Sequence, residues 1–506
     1  MPPIRALLIA NRGEIAVRLI RACREAGVRA IAVYSEADAT AWHVREADQA
    51  VRLGGAAPAE SYLNLERVLA AARQAGADAV HPGYGFLSEN ADFAEAVRAA
   101  GLTFVGPPAE AIRLMGSKTT ARARMEAAGV PVVPGFQPAP GEMPTPAIWA
   151  EAAARLGYPV LVKAAGGGGG RGMRVVASAG DLADALMGAS REAASAFGDP
   201  SVFLEKYLPR ARHIEFQVFG DADGHVIHLG ERECSVQRRH QKVMEETPSP
   251  LLEAHPDRRT AMGRAAVTAA QAVNYTNAGT VEFIVDPDTL AFYFLEMNTR
   301  LQVEHPVTEA VTGQDLVQWQ LRVAAGEALP LAQADVASRG HALECRVYAE
   351  DPARDFLPSA GRMLACAFPN APGVRVDAGY AAGDEVSPYY DALLAKLVVQ
   401  APDRATALAR AEAALATTTI LGVTTNLPFL RALLRHPEFV AGTATTQMIA
   451  EHFAGWLAPA PPPVALMAAA LADHLGLTRP PASADLTRPA DHNPWSVADG
   501  FRVGGR

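Results

Sequence analysis

The stretch Lys163–Met173 reads K-A-A-G-G-G-G-G-R-G-M, with five consecutive glycines, Gly166 to Gly170, between a lysine and an arginine. Ordering so many glycines is entropically costly, so the run needs a reason. Its flanks supply one. Tyr158–Ala164 (Y-P-V-L-V-K-A) predicts a buried strand and Met173–Ser178 (M-R-V-V-A-S) a second. Strand, glycine loop and strand make a hairpin. A Walker A loop needs Gly-Lys-Ser/Thr leading into a helix, and a dinucleotide fingerprint needs Gly-x-Gly-x-x-Gly at a strand-to-helix turn; neither context is present. What remains is a mobile flap whose bare N–H groups form an anion-binding nest, with Lys163 and Arg171 adding charge. A plain flexible linker fits poorly between two apolar strands.

Working outward, Arg5–Ala10, Val28–Tyr34 and Ala77–His81 predict strands, alternating with helices at Gly13–Ala26 and Tyr62–Gln74. That alternation indicates an open parallel sheet, which binds ligands beyond the strands' carboxyl ends. Asn11–Glu14 and His81–Phe86 occupy two such crevices, although both also fit ordinary turn chemistry. Ala109–Gly129 is predicted helical and carries Lys118. Pro134–Pro146 looks like a hinge into the flap unit, and Val202–Lys206 returns as a strand. Residues 212–246 alternate strand and loop, with Gln237–Lys242 as a basic run that more often marks a solvated loop. A helix near Asp257–Asn274 precedes a hairpin over 280–299. Residues 331–448 read as a third, mixed lobe, Pro459–Pro463 as a linker, and the remaining tail as poorly ordered or the start of a further domain. The expected domains are 1–118, 119–330 with a lid over about 135–204, 331–448 and 449–506.

The 506 residues are 49% apolar, enough for several cores. A net charge of −9 argues against nucleic acid or an acidic membrane as main partner. Cys23, Cys234, Cys345 and Cys366 show no C-x-x-C spacing, and no apolar run suits a signal peptide or a membrane span. A cytoplasmic, reducing compartment is the expectation. Lysine usage is more selective. Of 46 basic residues only five are lysines: Lys118, Lys163, Lys206, Lys242 and Lys396. In an arginine-rich chain a retained lysine marks a place for a compact point charge.

Thr280–Val285 and Phe292–Asn298 predict two strands joined by Asp286–Leu290. A hairpin centred on Thr289 sets Glu282 opposite Glu296. Two carboxylates across a ladder repel, and a hard cation between them removes the objection. A solvated acidic face is the alternative, but apolar residues flank each acid. The period of two then continues through Glu296, Asn298, Arg300, Gln302 and Glu304, which in an extended chain share one face. The functional reading is an anion site beside a metal, with Arg300 as clamp and Glu304 as base.

Lys163–Met173, Glu231–Glu246 (E-R-E-C-S-V-Q-R-R-H-Q-K-V-M-E-E), Glu296–Pro306 (E-M-N-T-R-L-Q-V-E-H-P), His81–Asn90 and Glu344–Pro352 (E-C-R-V-Y-A-E-D-P) together resemble the biotin carboxylases. The resemblance runs from residue 4 to about residue 450. It implies an α/β fold of the ATP-grasp type, with an N-terminal Rossmann-like domain, a glycine-flap lid and a C-terminal mixed lobe. It further implies that Lys118, Lys163, Gly168, Gly169, Gly170, Glu205, Lys206, Leu208, His213 and Gln237 hold ATP, and that Glu282, Glu296 and Asn298 hold magnesium or manganese. Lys242, Arg300, Gln302, Val303, Glu304 and Arg346 match the family's bicarbonate pocket; Tyr84, His240 and Asp391 match positions near biotin. Asp491–Arg502 looks like the opening of the middle domain of methylcrotonyl- or geranyl-type carboxylase alpha subunits. The Met-Lys-Met carrier motif is absent, so the implied biotin sits on a separate carrier, with a carboxyltransferase subunit as second partner. A homo-oligomer or a larger carboxylase complex is the implied assembly.

The chemistry implied is ATP- and bicarbonate-dependent carboxylation of biotin through carboxyphosphate, with Glu304, Arg300, Lys242 and Arg346 catalytic. Two other readings share parts of the pattern. An ATP-grasp ligase joining bicarbonate or a carboxylate to an amine has the flap and the metal hairpin, but leaves Gln237–Lys242 and Glu344–Pro352 unexplained. A silent ATP-binding scaffold would be favoured by loss of Glu304, Arg300 or Lys242, and all three are present.

Overall fold

The computed structural model describes residues 4–139, 142, 144–166 and 173–475. Gly168, Gly169, Gly170, Arg171 and the Asp491–Arg502 segment lie outside the described residues.

Strands β1 (Ala6–Ile9), β2 (Arg29–Ser35), β3 (Gln49–Gly54), β4 (Ala79–His81) and β5 (Thr103–Phe104) form a parallel sheet in the order β3-β2-β1-β4-β5. β1 (A-L-L-I) is buried throughout, as a strand covered on both faces must be. The order reverses between β1 and β4, so their two following loops frame a crevice. The Asn11 side-chain amide stitches them together, donating to the carbonyls of Pro82 at 2.8 Å and Tyr84 at 2.7 Å. Gly83 lies beneath Asn11 with φ +63°, where a Cβ would come within 2.8 Å of that amide. Helix α1 (Gly13–Ala26) leaves this crevice and ends on left-handed Gly27.

The glycine-flanked hairpin is present. β6 (Gly135–Phe136), β7 (Val160–Ala164), β8 (Arg174–Val176) and β9 (Val202–Lys206) form an antiparallel sheet in the order β6-β9-β7-β8, with Val160 opposite Val176. Helices Pro146–Leu156 and Leu182–Phe197 close its core around Ala153, Val160, Val162, Ala189 and Leu204. Ala109–Gly129 is largely helical as expected, in two helices, Ala109–Met115 and Lys118–Ala127. Ser117 caps the second by accepting from the Thr120 N–H, which restarts the helix at Lys118.

An eight-stranded antiparallel sheet joins the centre to the C-terminal lobe. Its strands run β14 (Phe292–Asn298), β13 (Asn277–Val285), β10 (Arg212–Gly220), β11 (Val226–Arg238), β12 (Gln241–Thr247), β15 (His341–Tyr348), then Leu393–Ala401 and Val374–Ala378. All nine residues of β10 (R-H-I-E-F-Q-V-F-G) are buried although its apolar and polar residues alternate, so this sheet buries a polar face as well as an apolar one. The apolar face packs on helix Pro256–Gln271 through Phe216, Phe283, Met262 and Ala266. The Gln237–Lys242 run is a tight hairpin rather than a solvated loop. Gln237 pairs with Lys242, and Arg239 and His240 turn the corner with φ of 49° and 68°. Two-residue hairpins of this hand usually carry Asn-Gly, which is why the pattern was not legible as a turn. Residues from Leu457 form a second unit, whose described residues include helix Pro463–His474.

Candidate active site

Strand register assembles the acids. Glu282 on β13 stands opposite Glu296 on β14, and Glu215 on β10 stands opposite Glu282 from the other side. Lys242, from β12, reaches into this row: its ammonium donates to Glu282 and Glu304 at 2.7 Å each and makes a shorter bond to Glu215. Burial alone would lower the Lys242 pKa, but the three carboxylates outweigh it and hold the amine well above its usual value. Burial would likewise raise Glu304; Lys242 and Arg346, the latter 2.9 Å away, hold it well below the usual carboxylate range. Glu304 is therefore an anion wedged between two cations.

Glu282 and Glu296 behave differently. Burial opposes the charge on Glu282, yet Lys242 and His213, whose Nε2 is 2.9 Å away, keep it well below its ordinary value. Burial and then the facing Glu282 push Glu296 up. A pair in which one ionised acid suppresses the other is the arrangement a hard cation relieves. Two carboxylates and the Asn298 amide offer it oxygen donors, so these residues fit magnesium or manganese.

The alternating row converges, but not as an extended strand. β14 ends at Asn298, and Thr299–Glu304 is irregular chain leading into helix His305–Thr312. Side-chain bonds replace the pleat. Arg300 donates to Asn298 at 3.1 Å, to Gln302 at 2.9 Å and to Glu89 at 3.0 Å, while Gln302 and Asn298 both donate to Glu282 Oε1.

Two cavities flank the acids. One, of about 670 Å³, is lined by Tyr84, His240, Lys242, Arg300, Gln302, Val303, Arg346 and Asp391. The other, of about 780 Å³, is lined by Lys118, Lys163, Glu205, Lys206, Leu208, Gln237 and His240. They share His213, His240, Glu282 and Glu296. Glu304 lines neither and sits fully buried behind Lys242 and Arg346. In the larger cavity Lys163 pairs with Glu205 at 2.8 Å, and Lys206 donates to the Gly157 carbonyl at 2.8 Å.

Residues the sequence did not single out support these groups. Fully buried Arg232 bonds Glu215, Gln217, Thr280 and Thr308, and so fixes the acid that receives Lys242. Glu245 holds Arg346 from behind at 2.6 Å, and Glu89 braces Arg300. An isolated acid or arginine in a strand carries no signal of a partner tens of residues away.

Three protein-family models match the chain. The biotin carboxylase N-terminal domain covers residues 3–112, the carbamoyl-phosphate synthase L chain ATP binding domain 117–332, and the biotin carboxylase C-terminal domain 344–451. A biotin carboxylase of Nostoc sp. is 52% identical over 445 residues, 88% of this chain and 98% of its own length. The chain belongs to the biotin carboxylase family. The activity of that family, ATP-dependent carboxylation of biotin, is its activity. The methylcrotonoyl-CoA carboxylase subunit alpha of Dictyostelium discoideum is 48% identical over 99% of this chain and 71% of its own length. The biotin carboxylase domain of the Hydrogenobacter thermophilus 2-oxoglutarate carboxylase, solved as a dimer with MgADP, ADP and bicarbonate, superimposes with TM-score 0.86 at 45% identity, covering 91% of this chain and 100% of that one. Among the described residues no helix is long and apolar enough to cross a membrane.

Proposed function

We propose that the two cavities divide the substrates of biotin carboxylation. The observation that carries this is their junction at Glu282 and Glu296, where a nucleotide's terminal phosphates would meet bicarbonate. ATP occupies the larger cavity, with Lys118 and Lys163 on its phosphates, Glu205 aligning Lys163, and Lys206, Leu208, His213 and Gln237 around the remainder. Gly168, Gly169 and Gly170, outside the described residues, belong to the same ATP-binding set by the family resemblance. Glu282, Glu296 and Asn298 hold magnesium or manganese, which neutralises phosphate charge when bound.

Bicarbonate lies among Arg300, Lys242, Gln302, Val303 and Arg346, and Glu304 takes its proton. Glu304 is a weak base while Lys242 and Arg346 both pair with it. A bicarbonate anion competes for those cations, so proton affinity at Glu304 rises as the substrate arrives. The resulting oxyanion attacks the γ-phosphate and ADP leaves; the carboxyphosphate breaks to carbon dioxide and phosphate, the phosphate takes the N1′ proton of biotin, and the deprotonated N1′ captures the carbon dioxide as carboxybiotin. Arg346 stabilises the enolate, with Tyr84, His240 and Asp391 around the ring. Water must be kept out, since it would divert carboxyphosphate.

Biotin arrives on a carrier domain, and a carboxyltransferase subunit passes the carboxyl group to an acyl-CoA. The similarity to methylcrotonoyl-CoA carboxylase alpha subunits favours a branched, unsaturated acyl group. A homo-oligomer within such a complex, in the cytoplasm, completes the reading. The test is fixation of labelled bicarbonate into free biotin by the purified chain. Arg300→Ala should lose about a hundredfold or more in kcat with the KM for MgATP within about twofold of wild type. Equal loss in both would contradict the division of the cavities.

A further inference from the structure

Of the five lysines, Lys396 is the one that reaches neither cavity. It is fully buried on strand Leu393–Ala401, where a bare ammonium is costly unless paired and hydrogen-bonded. One carbonyl and two carboxylates from three parts of the chain surround it. Its Nζ donates to the Val303 carbonyl at 2.9 Å, lies 3.2 Å from Glu14 Oε1 and 3.9 Å from Asp377 Oδ2. Asp377 is already paired with Arg375 at 2.7 Å, so it does not need the lysine for charge. Glu14 in turn accepts from the Tyr84 hydroxyl.

Val303 and Tyr84 line the same 670 Å³ cavity from different segments, and one cation reaches behind both. The neighbouring Gln302 carbonyl is held as well, accepting from His305 Nδ1 at 2.7 Å. Both carbonyls flanking Val303 are thus drawn into the protein. The N–H of a trans peptide points opposite to its C=O, so the Val303 N–H is turned away from the His305 ring. A slender stem ending in a compact ammonium suits a place this buried.

We propose that Lys396 is a positioning residue for the wall of this 670 Å³ cavity, fixing the Val303 carbonyl on its bicarbonate side directly and the Tyr84 ring on its biotin side through Glu14. This rests on the biotin carboxylase reading of the site. The experiment compares wild type, Lys396→Met, Glu14→Gln and the double variant in biotin-dependent ATP cleavage by the full chain, varying bicarbonate and MgATP in turn. Lys396→Met should lower kcat/KM for bicarbonate about tenfold or more, because a charged donor to a buried carbonyl is gone, while the KM for MgATP stays within about twofold. The double variant removes the ion pair together, and keeps a foldable protein should the lone Glu14 carboxylate unfold the single one. Measured against Glu14→Gln alone, it should show the same bicarbonate defect, since Val303 still lacks its donor. Recovery of bicarbonate kcat/KM in the double variant would assign Lys396 to charge balance and overturn the proposal, as would no defect in either variant. A wild-type chain with no bicarbonate-dependent cleavage would overturn the reading of the site itself.

Discussion

Two of the cross-strand acid pairs in the eight-stranded sheet meet opposite fates. Glu282 faces Glu296 across β13 and β14; Glu245 faces Glu344 across β12 and β15. The first pair opens on both cavities and is surrounded by Lys242 and His213. The second is sealed behind Arg346. Both oxygens of Glu344 and one of Glu245 have no partner there. Burial, aided by the facing Glu245 and opposed by Lys396, pushes Glu344 well above the usual range. Burial pushes Glu245 up to about 7 against the pull of Arg346. The open pair invites a cation; the sealed pair keeps a proton. Two facing acids therefore do not announce a metal, because access decides which positive charge relieves the repulsion.

The comparison can be broken in order of expected effect. Glu304→Gln, which removes the proposed base beside both pairs, should cost about a hundredfold or more in kcat for biotin carboxylation. Next, Glu296→Gln should raise the magnesium concentration for half-maximal activity about tenfold or more, whereas Glu344→Gln should move it less than about twofold. A matched shift in both variants would erase the distinction between the pairs.

The smallest effect is thermal and comes from the sealed pair. Glu344 has a higher pKa folded than unfolded, so the stability it contributes is fully present below the unfolded value near ~4.3 and is lost as pH rises. Glu344→Gln carries no such penalty. Its Tm should match wild type near pH 4 and exceed it at pH 8, by a few degrees at most. A variant less stable than wild type at pH 8 would mean that Glu344 is held ionised.

Local pattern made much of this legible. The flap hairpin follows from two short apolar runs either side of a glycine tract, and Val160 does pair with Val176. The Glu282–Glu296 register follows from a hairpin whose partners lie 14 positions apart, so counting from the turn suffices. The row from Glu296 to Glu304 does converge, but not as the extended chain its period of two implies: side-chain bonds around Arg300 do the gathering instead. The scarcity of lysine pointed to Lys118, Lys163, Lys206 and Lys242, all of which line a cavity. It said nothing of what Lys396 does, because that depends on a carbonyl 93 positions away.

By itself the amino-acid sequence determined the family, the parallel N-terminal sheet, the flap and the facing acids, since each is written in residues close along the chain. Tertiary structure alone decided that Lys242 sits among Glu215, Glu282 and Glu304, with the last 62 positions away, that Glu245 and Glu344 face each other about 100 positions apart, and which of the two acid pairs opens on a cavity. The reason is physical. Secondary-structure period is a local property, but the electrostatic state of a carboxyl group is set by everything packed around it, and packing brings together groups that no spacing along the chain relates.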